Sequence, residues 1–288
     1  MSDKEKTWRV IDVLNWAKDY LQEKGIESPQ VVIEWIIREV LDWNRMEIYL
    51  NHERPLGNQE LAQIRSYLKR RVQGEPLEYI FGYTEFMGLE FKVNQDVLIP
   101  RHETEVIIEK LLRIYSDSDN INVLDIGCGS GNIIISLVKL MENASGIGID
   151  KSSKALEVAR QNSRTNGTGE QITFLQKDIL KDYAPESKFD LVISNPPYIS
   201  KEKYQELPQH IKEHEPKQAL YPGEDTLKYF RRIVDLKDKI LQKEGLLAFE
   251  IGGTYQEKSV VEIVKEKFDE IEIIQDYLDE SRGILAFS

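Results

Sequence analysis

The chain contains one cysteine, four histidines and an excess of acid over base, and each scarcity narrows what it can be. A lone Cys128 cannot close an internal disulfide, which fits a reducing compartment. Against 50 acidic residues stand 38 lysines and arginines, a formal charge of −12. Proteins that hold duplex DNA by broad phosphate neutralisation usually show a basic surface, so direct DNA binding is not expected. No uninterrupted apolar run approaches a membrane span, and the opening "MSDKEKTWRV" lacks the apolar core of a signal peptide. The expectation is a cytoplasmic protein without membrane contact, and a monomer. There is no internal repeat and no low-complexity segment. What remains is 288 residues of ordinary globular composition, enough for one large domain or a large one with a small companion.

Residues 1–75 read as helical. Val10, Val13, Leu14, Ala17 and Leu21 recur at helical spacing as far as Gly25, and Ser28-Pro29 offers a cap and first turn to "QVVIEWIIREVLDW". A third helical pattern, "NQELAQIRSYLKRRVQG", ends at Gly74. Such short helices are marginal alone, which implies a small bundle. Residues 76–96 change character to "YIFGYTEFMGLEFKV", with Met87-Gly88 as a tight turn, and are expected to form a β-hairpin linker. From residue 97 to 288 strands and helices alternate. The strand candidates are Asn122 to Ile126, Gly146 to Ile149, Ile172 to Leu175, Phe189 to Ser194 and Leu246 to Ile251. Apolar strands separated by helices predict an α/β domain with a largely parallel sheet covered on both faces. The closing "IEIIQDYLDESRGILAFS" holds two strand-like segments with no helix between them, expected as an antiparallel pair at the sheet edge.

After the first of these strands comes "VLDIGCGSGN". Gly127, Gly129 and Gly131 let the backbone turn sharply and approach a ligand where a Cβ would clash. A nucleotide-like cofactor is implied. The dinucleotide fingerprint G-x-G-x-x-G would put its third glycine at 132, where this chain has Asn132. The next strand, "GIGID", ends in Asp150, roughly 20 residues on, where a carboxylate can accept both hydroxyls of a ribose. A tight turn or a solvated acid would explain either feature, but not the two in register. In "FLQKDIL", Asp178 can accept from an adenine amino group and Ile179 can pack on the adenine face, although Asp178 alone is more often a helix or turn cap, so its assignment leans on the glycine loop and Asp150.

"LVISNPPYIS" ends an apolar strand on Asn195-Pro196-Pro197-Tyr198. Consecutive prolines donate no backbone hydrogen bonds and fix φ, so the chain leaves the sheet stiffly at a strand's carboxyl end, where open α/β sheets place ligands. The order of glycine loop, acid, acid and Asn-Pro-Pro-Tyr resembles that of Rossmann-like methyltransferases using S-adenosylmethionine. A planar amide or amino nitrogen is a poor nucleophile because its lone pair is delocalised. If the Asn195 oxygen and the Pro196 carbonyl each accept one hydrogen of an NH₂ group, they fix that nitrogen and favour its pyramidalisation toward the methyl. Tyr198 would wall off the planar group. The clamp names a nitrogen type, shared by adenine, cytosine and glutamine.

Gly74 to Glu105 narrows the choice. Pro76, Tyr79, Ile80, Gly82, Phe86, Gly88, Leu89, Phe91, Val97 through Arg101 and Glu103 to Glu105 match a pattern of the PrmC/HemK family, protein-(glutamine) methyltransferases acting on class I peptide chain release factors. His102 stands where that family usually has proline. "EHEPKQALYPGEDTLKYFRRI" also resembles the family, with Thr226 replacing a glycine, as do "LLAFEIG" and "DESRGILAF". The resemblance implies methyl transfer from S-adenosylmethionine to the glutamine of a Gly-Gly-Gln loop, with S-adenosylhomocysteine as product. Carried over by position, cofactor contacts would be Gly127, Cys128, Gly129, Ser130, Gly131, Asp150, Asp178, Ile179 and Asn195. The catalytic set would be Asn195, Pro196 and Tyr198, and the acceptor would also meet Pro197, Arg101 and Glu105.

Three other readings carry less. "HIKEH", His210 to His214, fits a zinc-protease pattern but lies between Pro208 and Pro216 in too short a helix, so no metal is expected. A DNA adenine or cytosine amino-methyltransferase would need a basic target-recognition region, and no long insertion offers one. A binding module that has lost catalysis would not explain an intact Asn-Pro-Pro-Tyr.

Overall fold

The computed structural model describes residues 7–116, 118, 120–181, 185 and 187–288. The chain divides into two compact units, the first ending at Phe81 and the second beginning at Gly82.

The first unit holds α1 (Val10–Glu23), α2 (Pro29–Leu41), α3 (Arg45–Leu50), α4 (Asn58–Val72) and α5 (Leu77–Phe81). Its core joins Val10, Leu14, Ala17 and Leu21 of α1 to Ile33, Ile36 and Ile37 of α2 and Ile64 and Leu68 of α4, the apolar stripes that the spacing predicted. Glu34 is buried in this unit and takes hydrogen bonds from Gln30, Arg45 and Tyr49. Two local expectations change. Ser28 precedes α2 with φ of 51° and its side chain makes no capping bond, so Pro29 alone favours the start. Residues 77–81, expected within the hairpin segment, form a helix instead. Pro76 accepts the Ile80 N–H, and the Arg70 guanidinium donates to the terminal carbonyls of Tyr79 and Ile80 at 3.2 and 3.1 Å.

In the second unit, β1 (Tyr83–Phe86) and β2 (Leu89–Lys92) pair antiparallel across Met87-Gly88. Both turn residues have positive φ, 53° and 71°, the twist a two-residue hairpin needs, and Glu105 accepts the Met87 N–H at 2.7 Å. A seven-stranded sheet follows, formed by β3 (Asn122–Ile126), β4 (Ser145–Asp150), β5 (Ile172–Gln176), β6 (Phe189–Ser194), β7 (Leu241–Glu250), β8 (Glu270–Gln275) and β9 (Ser281–Phe287). Its order is β5-β4-β3-β6-β7-β9-β8. β3 to β7 run parallel, and β9 is antiparallel to both β7 and β8, the edge pair that the last segment predicted. β7 begins five residues earlier than its apolar run, because exposed Gln242, Lys243 and Glu244 extend it past a register shift opposite Phe189 and Leu191.

Alternate strand residues feed opposite faces. Val123, Leu191, Ile193 and Ala248 face α6 (Glu105–Ile114), α7 (Asn132–Leu140) and α8 (Ser153–Thr165), together with Phe86 and Phe91 of the hairpin. Leu124, Val192, Leu247 and Phe249 pack with α12 (Lys228–Asp235) and α14 (Thr254–Val264). Short helices α9 (Lys201–Glu206), α10 (Gln209–His214) and α11 (Lys217–Leu220) follow β6, and α13 (Lys237–Ile240) precedes β7. Among the described residues no helix is long and apolar enough to cross a membrane.

Candidate active site

The chain builds β3, β4 and β5 outward in one direction, then returns to place β6 against the free side of β3 and continues the other way. Neighbouring loops therefore diverge between β3 and β6, which opens a crevice at their carboxyl ends. Register fixes what faces it. Ile126 lies opposite Ser194, so the loops starting at Gly127 and Asn195 leave the sheet side by side. The Ser194 hydroxyl donates to the Ile126 carbonyl at 2.7 Å and ties the two ends together. A cavity of about 1020 Å³, counted to its open mouth, occupies the crevice.

One wall is the glycine loop. Gly127 and Gly129 have φ of 80° and 55°, and a Cβ built on either meets nothing within 4 Å, so both present bare backbone toward open space. Gly131 differs. Its Cβ would stand 2.8 Å from Ile135 and 3.2 Å from Ala159, so this glycine serves the packing of α7 on α8 and lies outside the cavity wall. Asp150, at the end of β4, accepts from the Gly129 N–H at 3.0 Å and the Ser152 N–H at 2.8 Å. Burial raises its pKa, and the Ser152 and Gly129 amides oppose that rise. Cys128 lines the cavity but is 4% exposed, and burial holds its thiol well up, hence protonated and inert. Asp125 is fully buried beneath the loop, and burial pushes it up to about 8 although the Ile134 backbone N–H opposes the rise.

The cavity is also lined by Asn195, Pro196 and Pro197 beyond β6 and by Ile179, Arg101 and Thr104. The Ile199 N–H donates to the Leu220 carbonyl at 3.0 Å, so α11 anchors the proline turn. Beside Asn195 lies Glu250, 5% exposed, whose carboxyl group accepts from the Thr104 hydroxyl at 2.5 Å and whose pKa the nearby Asn195 side chain helps to hold down. Burial pushes Glu250 up to about 7 despite both groups. Arg101 pairs with buried Glu215 at 2.5 Å, and Glu215 also accepts the Ile99 N–H at 3.4 Å. This ion pair clasps the Val97-to-Arg101 segment to the Glu215-Pro216 turn, and both border the cavity.

The structure thus gathers Gly127, Cys128, Gly129, Ser130, Asp150, Ile179, Asn195, Pro196, Pro197 and Arg101 around one cavity. Four expected contacts lie outside its wall. Besides Gly131, Asp178 caps the turn after β5 by accepting the Leu180 N–H at 3.1 Å. Tyr198 packs its ring on Gly252, where a Cβ would approach to 2.7 Å, and borders Glu250. Glu105 is engaged with the hairpin turn at Met87. Sequence reasoning missed Asn132, Ser152 and Tyr229 in the wall and Glu250 behind it. A carboxylate closing the apolar run "LLAFE" was the available signal for Glu250, of the same kind that singled out Asp150.

Residues 12–82 match the model of the PrmC N-terminal domain, and residues 117–278 match that of a methyltransferase domain. Over 252 residues the chain is 38% identical to the release factor glutamine methyltransferase of Geobacter sulfurreducens, covering 88% of this chain and 87% of that protein. The chain belongs to the release factor glutamine methyltransferase family. The Chlorobaculum tepidum member is 34% identical, with 97% of each chain covered. Among solved structures, a methyltransferase from Pyrococcus furiosus superposes with a TM-score of 0.52 at 16% identity, covering 69% of this chain and 89% of that one, a likeness of fold.

Proposed function

We propose that this enzyme transfers the methyl group of S-adenosylmethionine to the side-chain amide nitrogen of the glutamine in the Gly-Gly-Gln motif of class I peptide chain release factors. The supporting observation is that bare glycine backbone, a strand-end carboxylate and an Asn-Pro-Pro turn meet in one cavity at the switch point of the sheet. The residues suit the cofactor. Gly127 and Gly129 leave space that side chains would fill, and Ile179 offers an apolar surface for a base. A carboxylate has about four acceptor positions, of which the backbone takes two at Asp150, so two remain for a pair of ribose hydroxyls. When bound, S-adenosylmethionine supplies an electrophilic methyl group.

The chain's own residues deal with the acceptor. Asn195 Oδ1 and the Pro196 carbonyl take the two amide hydrogens of the glutamine, which holds its nitrogen in place and draws its lone pair out of conjugation. Pro196 and Pro197 keep this pair of acceptors rigid. Tyr198 braces the turn against Gly252 rather than forming the wall itself. The acidic surface charge favours a protein acceptor over a polyanion, and the enzyme works in the cytoplasm as a monomer.

The test offers purified class I release factors and unmethylated duplex DNA together with labelled cofactor, followed by peptide mass mapping. One added methyl on the Gly-Gly-Gln peptide and none on DNA is expected; label on an adenine or cytosine amino group refutes the acceptor. In the same assay Asn195→Ala should lower kcat on the order of 100-fold, as for loss of one preorganised hydrogen-bonding group, while cofactor affinity stays within threefold. Unchanged kcat refutes the clamp.

A further inference from the structure

Asn195 can accept from a glutamine NH₂ only if its own side-chain oxygen, and not its own NH₂, faces the acceptor. The two ends of a carboxamide are nearly alike in size, so shape alone does not choose between them. Something must fix the flip. We propose that Glu250 is the positioning residue that turns the oxygen of Asn195 toward the acceptor nitrogen, an inference that rests on the glutamine methylation proposed above.

The placement begins in the sheet register. Ser194 is opposite Phe249 in the parallel pair of β6 and β7, so Asn195 and Glu250 are the next residues on adjacent chains as both reach the crevice. Glu250 is 5% exposed, and water cannot serve as its main partner. Its Oε2 accepts from the Thr104 hydroxyl, and the Asn195 side chain lies near enough to favour its charged form, which places the Asn195 amide within reach as a donor. An ionised carboxylate has no hydrogen to give. It therefore selects the Nδ2 end of Asn195, and Oδ1 is left on the opposite side of the planar amide. Asn195 itself lines the cavity, so that free oxygen has the acceptor space before it.

The surroundings limit how the carboxyl can turn, and its charged form sets the flip of Asn195. Thr104 sits at the start of α6 and donates to Glu250 Oε2, which leaves the carboxyl less freedom to turn. Glu103, Arg282 on β9 and Tyr198 are the other ionisable groups near it, Glu103 favouring its neutral form and Arg282 its charged form. A neutral Glu250 could instead donate to Oδ1 and reverse the amide, presenting NH₂ to NH₂ at the acceptor. Two donors facing each other form no bond, and one of the two contacts on the reacting nitrogen is lost. No part of the glycine loop or of Asp150 depends on this carboxyl group, so cofactor binding should be insensitive to it.

Glu250→Gln tests this. Glutamine keeps the length and can still accept from Thr104, but its NH₂ can donate to Asn195 Oδ1 and stabilise the reversed amide. The expected result is at least a 10-fold fall in kcat, with cofactor Kd and KM for the release factor within threefold and thermal stability maintained. The same change in an Asn195→Ala background should alter kcat less than twofold, because the residue through which Glu250 acts is gone. Glu250→Gln with kcat within twofold of wild type overturns the proposal. So does a full additional loss in the Asn195→Ala background, or a loss that follows cofactor affinity or melting temperature. Wild-type turnover on the release factor is read alongside. Its absence would overturn the glutamine methylation itself and this inference with it, whereas an active wild type beside an equally active Glu250→Gln overturns the positioning role alone.

Discussion

Asp150→Ala separates the two jobs of one carboxylate. In the structure its oxygens hold the Gly129 and Ser152 amides at 3.0 and 2.8 Å, and the two remaining acceptor positions are assigned to the ribose. Removing the side chain deletes both sets. Hydrogen bonds to a charged group contribute about 1.5–3 kcal/mol, so the Kd for S-adenosylmethionine should rise about 10- to 150-fold. Stability responds less, because two contributions oppose. Two backbone N–H groups lose their partner, at about 1 kcal/mol each, while the burial that raises the Asp150 pKa is a penalty on the charged form that alanine removes. The ligand-free melting temperature should therefore fall by only a few degrees, given about 2–4 °C per kcal/mol for a domain of this size. Calorimetric titration of the cofactor together with a melt of the free protein measures both. A Kd within threefold of wild type refutes the ribose assignment, even if the melting temperature drops as expected.

Two further predictions follow from the same loop. Gly129→Ala and Gly131→Ala both place a Cβ at positive φ, but only the second drives it into Ile135 and Ala159. Gly131→Ala should cost about 1–3 kcal/mol of stability and Gly129→Ala about 1, whereas cofactor affinity should suffer more in Gly129→Ala, whose methyl enters the cavity; melts and titrations giving the reverse order in either quantity refute the division. Asp125 has a folded pKa of about 8, above its ordinary value of 3.8, so its contribution to stability is full below about pH 4 and is lost as pH rises toward 8. Asp125→Asn, which cannot ionise, should melt close to wild type near pH 4 and increasingly above it as pH rises to 8, and a gap that does not widen across that range would show that the carboxyl is already charged when folded.

The strands were legible because apolar runs bounded by glycine, proline and acids have one economical reading, and β3 and β6 match the expected bounds residue for residue. The loops that line the cavity were legible for the same reason, since Gly127, Asp150 and Asn195 each directly follow or end such a run. What the pattern could not give is direction. Gly129 and Gly131 are alike in sequence, and only the positions of Ile135 and Ala159 make one a cavity residue and the other a packing residue. In the structure Asp178 caps a turn and Glu105 holds the Met87 amide, and a carboxylate with such a job looks the same in sequence as one that meets a ligand. His102, where relatives were expected to have proline, is an exposed residue in a short 3₁₀ turn, its ring beside Glu105, so the departure touches no wall of the cavity.

A loop made of glycines has almost no side chains with which to hold its own shape, yet a cofactor site must be set before the ligand arrives. Here the restraint comes from outside, one peptide at a time. The Ile149 carbonyl of β4 takes the N–H groups of Gly127 and Cys128 at 2.8 and 3.0 Å, and Asp150 takes that of Gly129. The Gly131 N–H closes back on the Cys128 carbonyl at 2.7 Å. The Ser130 carbonyl is met at 2.9 Å by Asn162, a fully buried amide on α8 that also accepts the Lys92 N–H and donates to the Lys92 carbonyl. Asn162 thereby joins the glycine loop to the end of the β1–β2 hairpin. A buried amide engaged on all sides cannot move without leaving polar groups unpaired, so a displacement of the hairpin is transmitted to the peptide between Ser130 and Gly131. The hairpin is thus mechanically joined to the glycine loop, although Gly127 lies 35 positions after Lys92 in the sequence.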